Sequence, residues 1–129
     1  MPRYLSTLSV WLFVLALAFV PIVGVVSAGE ADVVKVAVKR GTDGSYRFDV
    51  TVAHDDGGWA HYANKWEVIG VDGAVLATRV LAHPHVHEQP FTRSLGGVTI
   101  PDGVTTVTVR AGDSVHGLGG KEIVVSLPE

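Results

Sequence analysis

Cysteine is absent from all 129 residues of the chain. Without a thiol, the protein can form neither a disulfide nor the thiolate ligation that copper electron-transfer sites use. We also expect no lipid-modified N-terminal cysteine of the bacterial lipoprotein type. The stability of the fold must therefore come from side-chain packing, or in part from a bound ligand.

Basic residues and catalytic motifs are scarce as well. Lysine and arginine total 10 against 13 aspartate and glutamate residues, a formal net charge of −3, and no basic stripe points to nucleic acid as a partner. The sequence has no glycine-rich phosphate loop between a strand and a helix, no nucleophile elbow and no zinc-protease histidine motif. These absences favour a protein that is not an enzyme.

Residues 1–28 predict an export signal that forms a hydrophobic helix. Arg3 adds positive charge, Leu8 to Val20 is almost wholly apolar, and Val26-Ser27-Ala28 offers the small side chains that a signal peptidase reads. Cleavage after Ala28 would leave residues 29–129 as one periplasmic or secreted domain. The alternative is an uncleaved anchor, because the apolar segment approaches the roughly 20 residues that span a bilayer, and only this segment would then contact the membrane.

Short strands separated by turns dominate residues 29–129. Val34, Val36 and Val38 alternate with residues of the opposite face, the period of two that is typical of a strand. Asp72-Gly73 is a strong hairpin turn signal. With no amphipathic helix in view, the pattern predicts an all-β fold, an immunoglobulin-like antiparallel β-sandwich of about seven strands. The predicted strands are 34–38, 46–52, 65–71, 74–82, 91–98, 104–109 and 122–127.

All six histidines lie after the predicted signal, and they suggest a metal site because neutral imidazole is the commonest protein metal ligand. His83, His85 and His87 alternate, so in an extended chain their rings share one face. The alternative is a solvated, flexible loop, since Pro84 interrupts regular strand pairing.

The other histidines flank two further loops. His54 and His61 enclose a loop in which Asp55 and Asp56 are candidate acceptors that fix the ring tautomers. An exposed turn with two surface carboxylates is the alternative.

Asp113 and His116 stand three residues apart in a predicted loop before the last strand, and both side chains can face one ion. A carboxylate with several imidazoles suits Fe(II), Zn or Mn. An Asp-Ser turn that satisfies its own backbone is the alternative.

The order of these motifs resembles the catalytic domain of superoxide reductase, the desulfoferrodoxin and neelaredoxin family. The resemblance rests on His54, on the segment from His61 to Val68 (HYANKWEV) and on Asp113 to Leu118 (DSVHGL), and it covers most of residues 33–127. That family is a small immunoglobulin-like sandwich whose iron is held by four histidines and one cysteine.

Carried over to this chain, the resemblance implies that His54, His61 and His116 are metal ligands. Asp113 stands where the family has its cysteine, and one of His83, His85 and His87 would be the fourth histidine. The carboxylate departs from the family pattern, so redox chemistry on the ion lacks its thiolate. Iron, zinc or copper is the expected cofactor.

The sandwich also resembles the scaffold subunit of the periplasmic sulfur-carrier complex in thiosulfate oxidation, through Gln89-Pro90-Phe91 before a strand. That resemblance implies a non-catalytic domain that binds a periplasmic protein partner through residues 83–91 and the adjacent edge strands. A third hypothesis is an exported β-domain in which the histidines are incidental.

Overall fold

The computed structural model describes residues 29–129, and the predicted signal helix of residues 1–28 lies outside the described residues. Within the described range the chain is all-β, and it contains no helix that is long and apolar enough to cross a membrane. The strands are β1 (Asp32–Arg40), β2 (Tyr46–Ala53), β3 (Ala63–Ile69), β4 (Val75–Val80), β5 (Phe91–Val98), β6 (Thr106–Asp113), β7 (Gly117–Leu118) and β8 (Ile123–Ser126).

The strands form two antiparallel sheets. One sheet has the order β1-β2-β5, and the other has the order β4-β3-β6, with β7 and β8 both paired to the remaining edge of β6. β8 pairs with the first half of β6 and β7 with its last two residues. These two short strands therefore share one position in the sheet, interrupted at residues 119–122.

Alternation of side chains builds the core between the sheets. In β2, Phe48, Val50 and Val52 are fully buried, whereas the residues between them are at least partly exposed. Val107 and Val109 of β6 supply the facing surface, and all of these belong to one apolar cluster. The period of two visible in the sequence thus marks the faces that the two sheets turn toward each other.

The predicted strands agree with the observed ones except near residue 113. The Asp72-Gly73 turn is confirmed, with Gly73 at a φ of 82°. The placement of Asp113 in a loop is wrong, because Asp113 is the last residue of β6 and pairs with Gly117 of β7. A strand of two residues is too short to show any periodicity, and its turn residues predict a loop.

Glu67 is an acidic residue buried in the central strand β3. Strand alternation places its side chain on the face opposite Trp66, where Arg110 of β6 is its cross-strand partner. Its Oε2 lies 3.0 Å from both Nε and Nη2 of Arg110, and its Oε1 lies 3.1 Å from Lys65 Nζ. Burial alone would raise the pKa of Glu67, but hydrogen bonds from Lys65 and Arg110 outweigh it and hold the pKa below the ordinary value.

Two valine-to-alanine substitutions in strands distinguish the contribution of burial to stability from the contribution of strand propensity. Val50 is fully buried in β2 and Val124 is 68% exposed in β8. We expect Val50→Ala to lower the free energy of unfolding by about 2 kcal/mol, through lost apolar contacts and a residual cavity. Val124→Ala makes the same chemical change and should cost less than about 0.5 kcal/mol. Equal shifts in urea midpoint for the two variants would contradict this core assignment.

The Glu67 cluster predicts a pH dependence of stability. Because the pKa of Glu67 in the folded state lies below its ordinary 4.5, the carboxylate stabilises the fold above that pH, and the contribution is lost as the pH falls through the lower folded-state pKa. We expect the free energy of unfolding to fall less steeply for Glu67→Gln than for the wild type between about pH 5 and 3 in urea titrations. Glu122→Gln, at an exposed position, is the control and should keep the wild-type slope.

Candidate metal centre

Four strand ends meet at one pole of the domain. His54 directly follows β2, and His61 lies two residues before β3. Asp113 ends β6, where it pairs with Ala63 at the start of β3. Gly29 lies three residues before β1, beyond the point where β1 and β2 pair. Both sheets therefore contribute to the same small volume.

Three predicted ligands converge there. His54 Nε2 lies 3.3 Å from His61 Nε2, which lies 3.1 Å from Asp113 Oδ1. One ligand atom from each of the three residues can be chosen so that all lie within 4.8 Å of one another. The side chains of His54 and Asp113 are fully buried, and that of His61 is 27% exposed. The cluster is thus closed toward the core and open to solvent beside His61.

A main-chain oxygen also reaches this cluster. The carbonyl oxygen of Gly29 lies 3.0 Å from Nε2 of His54 and 3.0 Å from Nε2 of His61. No sequence pattern marks this contact, because Gly29 enters through its backbone and lies far from both histidines in the chain.

The cluster holds more lone pairs than protons. His54 Nδ1 lies 2.5 Å from Asp56 Oδ1, so Nδ1 carries the proton of a neutral ring and Nε2 carries a lone pair. His61 Nε2 can hold one proton, yet it faces Gly29 O, Asp113 Oδ1 and His54 Nε2. Facing lone pairs at such distances repel unless a cation, either an added proton or a metal ion, lies between them.

Asp113 is the charged member of the cluster. Its Oδ1 accepts hydrogen bonds from the backbone N–H groups of Val115 and His116 at 2.9 and 2.8 Å. Burial would raise the pKa of Asp113, but these bonds and the His116 ring together hold it below its ordinary value. Its buried Oδ2 has no hydrogen-bond partner among residues 29–129. Oδ1 of Asp113 therefore caps its own turn, as the alternative interpretation predicts, and it also contacts His61 Nε2.

His116 lies at the rim of the cluster. Its Nδ1 is 3.1 Å from Asp113 Oδ1, its ring centroid is 5.0 Å from that of His61, and its side chain is 38% exposed. His116 thus borders the solvent-facing side of the site and reaches it through Asp113.

Asp56 orients His54, as the sequence predicts, whereas Asp55 is exposed. Besides contacting His54 Nδ1, the buried Asp56 carboxylate accepts the N–H groups of Ala63 at 3.0 Å and His85 at 2.7 Å. A carboxylate bonded to the far nitrogen of an imidazole fixes its tautomer and strengthens the near nitrogen as a ligand.

The three alternating histidines lie apart from this cluster. The rings of His83 and His85 are 4.6 Å apart, and His85 stacks on Phe91 at 4.0 Å with its Nε2 2.7 Å from Arg93 Nη2. Burial, followed by the charge of Arg93, lowers the pKa of His85 below its ordinary value. His87 is exposed.

Gln89 links this loop to the cluster, a role for which the sequence gives no signal. Its Oε1 accepts the N–H of His54 at 3.0 Å, and its Nε2 donates to the carbonyl of His85 at 3.0 Å. Gln89 therefore ties the loop that contains His85 to the backbone of His54.

Comparison with known proteins gives one relative. The chain is 42% identical over 96 residues to a protein of Halomicrobium mukohataei described as a putative lipoprotein. The match covers 74% of this chain and 47% of the relative, so the chain spans about half the length of that protein. No family model matches the chain. No solved structure matches it either. The resemblances to superoxide reductase and to the sulfur-carrier scaffold stay predictions.

Replacing Asp56 tests its orienting role. We expect Asp56→Asn to weaken metal binding by about 10- to 100-fold, because the amide is a poorer acceptor for His54 Nδ1. Asp55→Asn removes the same charge from the neighbouring exposed position and should leave the affinity unchanged. Isothermal titration with Zn²⁺ measures both, and equal affinities for the two variants would refute the orienting role.

Proposed function

We propose that this protein is an exported metal-binding domain whose site consists of His54, His61 and Asp113, with His116 at its rim. The surplus of lone pairs at the pole carries the proposal. A divalent cation bonded to both imidazole nitrogens and the Asp113 carboxylate removes that surplus without adding protons.

The spacing of the donors supports this. A tetrahedral ion with metal–nitrogen distances of about 2.0–2.1 Å holds its ligand atoms about 3.3 Å apart. The neighbouring donors are 3.3 Å apart for His54 and His61 and 3.1 Å apart for His61 and Asp113. Ordinary carboxylate capping accounts for the Asp113 contacts, but the single proton that His61 Nε2 can hold points directly at only one of the three acceptors around it.

The chemistry of the donor atoms limits which metal ions the site can bind. Two imidazoles and a carboxylate suit Zn²⁺ or Fe²⁺, and no thiolate is available to favour copper. The superoxide reductase resemblance implies iron, but with Asp113 in the position of the cysteine we propose binding rather than superoxide chemistry. The sheet topology supports an immunoglobulin-like sandwich as the scaffold. One sheet has the strand order β1-β2-β5, and the other has the order β4-β3-β6 with β7 and β8 paired to the far edge of β6.

An extracytoplasmic location completes the proposal. The description of the relative as a lipoprotein, together with the apolar N-terminal segment, supports export of this chain. The relative's anchor chemistry does not transfer, because this sequence has no cysteine. We therefore attribute export to the signal predicted in residues 1–28.

The alternative of a protein-interaction domain draws less support from the geometry. Phe91 and His85, in the segment that would contact a partner, are buried. On the adjacent edge of β5, the carbonyl of Ser94 already accepts a hydrogen bond from Arg79 of β4. This occupied acceptor disfavours strand addition at that point.

Histidine substitutions test the metal site. We expect the wild type to retain about one equivalent of zinc or iron, and His54→Ala and His61→Ala each to abolish stoichiometric retention, since each removes a ligand. His87→Ala is the matched control at an exposed histidine and should keep full occupancy. Elemental analysis of untagged protein gives the result, with circular dichroism to verify folding. Full occupancy in the His54 and His61 variants would refute the site.

A further inference from the structure

We propose that the segment Gly29–Val33 completes the metal site, and that the main-chain carbonyl of Gly29 is its fourth ligand. The inference rests on the proposed function, since it names a donor of the same site. It adds that the site exists only while this segment is docked, so metal binding and docking of the segment strengthen each other.

The position of the Gly29 carbonyl is the first support. Its oxygen lies at the same distance, 3.0 Å, from Nε2 of His54 and of His61. In a neutral His54 ring the Asp56 contact leaves Nε2 with a lone pair, so a hydrogen bond accounts for only the His61 approach unless the ring gains a second proton. An ion shared by the carbonyl and both imidazoles accounts for both, because carbonyl oxygen is an accepted donor for divalent ions.

The segment is held in place independently of the cluster. Ala31 is fully buried in the core. The N–H of Val33 donates to the carbonyl of Lys121 at 2.9 Å, and the N–H of Lys121 donates to Asp32 Oδ1 at 2.7 Å. Lys121 lies between β7 and β8, so the residues that separate these two strands contact the segment Gly29–Val33.

Two glycines make this docking possible. A Cβ at Gly120 would lie 2.0 Å from the carbonyl oxygen of Ala31, so only glycine lets the two backbones approach. A Cβ at Gly29 would lie 2.1 Å from Cε1 of His116, so Gly29 fits directly beneath the rim histidine. The close packing at Gly29 and Gly120 places the carbonyl group of Gly29 within the cluster.

The resulting donor set is two imidazole nitrogens and two oxygens. The two oxygen donors make the site a poorer ligand set for soft ions such as Cu⁺ and a better one for Zn²⁺ and Fe²⁺. Because binding and docking are linked, displacing the segment must lower metal affinity by the factor by which metal favours docking.

The first test is a pair of adjacent substitutions that touch no metal ligand. Gly120→Ala collides with the backbone of Ala31 and should displace the segment, weakening Zn²⁺ binding about tenfold or more, as is typical when support for a ligand is lost. Gly119→Ala meets only the Glu30 carboxylate at 2.9 Å, the movable end of a side chain, and should bind as the wild type does. Isothermal titration measures both affinities.

The second test needs no variant. Gly29–Glu30 is the only Gly–Glu bond in the sequence, so the full chain labelled with ¹³C-carbonyl glycine and ¹⁵N-glutamate gives a single correlation for the Gly29 carbonyl. We expect Zn²⁺ to shift this correlation in its carbonyl dimension, with saturation at one equivalent.

The outcomes separate the two proposals. If the wild type binds neither Zn²⁺ nor Fe²⁺, the proposed function fails and the inference fails with it. If the wild type binds Zn²⁺ at one equivalent while the Gly29 carbonyl signal stays unchanged, the site stands and the fourth ligand is refuted. Equal affinity of Gly120→Ala and Gly119→Ala would likewise overturn the role of the segment.

Discussion

The candidate site depends on one buried carboxylate that is not itself a proposed ligand. Asp56 joins the ring of His54, the first residue of β3 at Ala63 and the backbone of His85 through its two oxygens. A buried carboxylate left without these partners would be costly, so the three segments and the carboxylate hold one another in place. The direction of the His54 lone pair, and with it the geometry of the pole, follows from this arrangement.

The rest of the fold brings strand ends to that pole from two sheets. The β1–β2 and β3–β6 registers place Gly29, His54, His61 and Asp113 together, and the apolar core between the sheets supplies the rigidity. A site built on strand ends is fixed by pairing rather than by loop conformation, which favours a preformed geometry. The solvent-exposed edges of His61 and His116 would give an ion access to the proposed site.

Period-two patterns and turn residues predicted the β-fold and most strands, because burial on one face of a strand leaves a direct record in the sequence. The approach of His54 to His61 was predicted from their positions at the ends of adjacent strands, whereas the grouping of Asp113 with them came only from the superoxide reductase resemblance. The alternating His83, His85 and His87 lie outside the group formed by His54, His61 and Asp113. A shared direction along a strand does not determine which other side chains occupy that face. The contributions of Gly29 and Gln89 had no signal, because backbone carbonyls and long-range amide contacts depend on tertiary register alone.

The donors of the site come from positions 29 to 113, so nearly the whole domain lies between the first and the last of them. In an unfolded chain, such as one that crosses a membrane during export, these donor groups are far apart. Their affinity for an ion is then no greater than that of separate side chains. The site is assembled only where folding finishes. If the proposed site takes up an ion after export, the metals available in that compartment would select the ion as much as the donor atoms do.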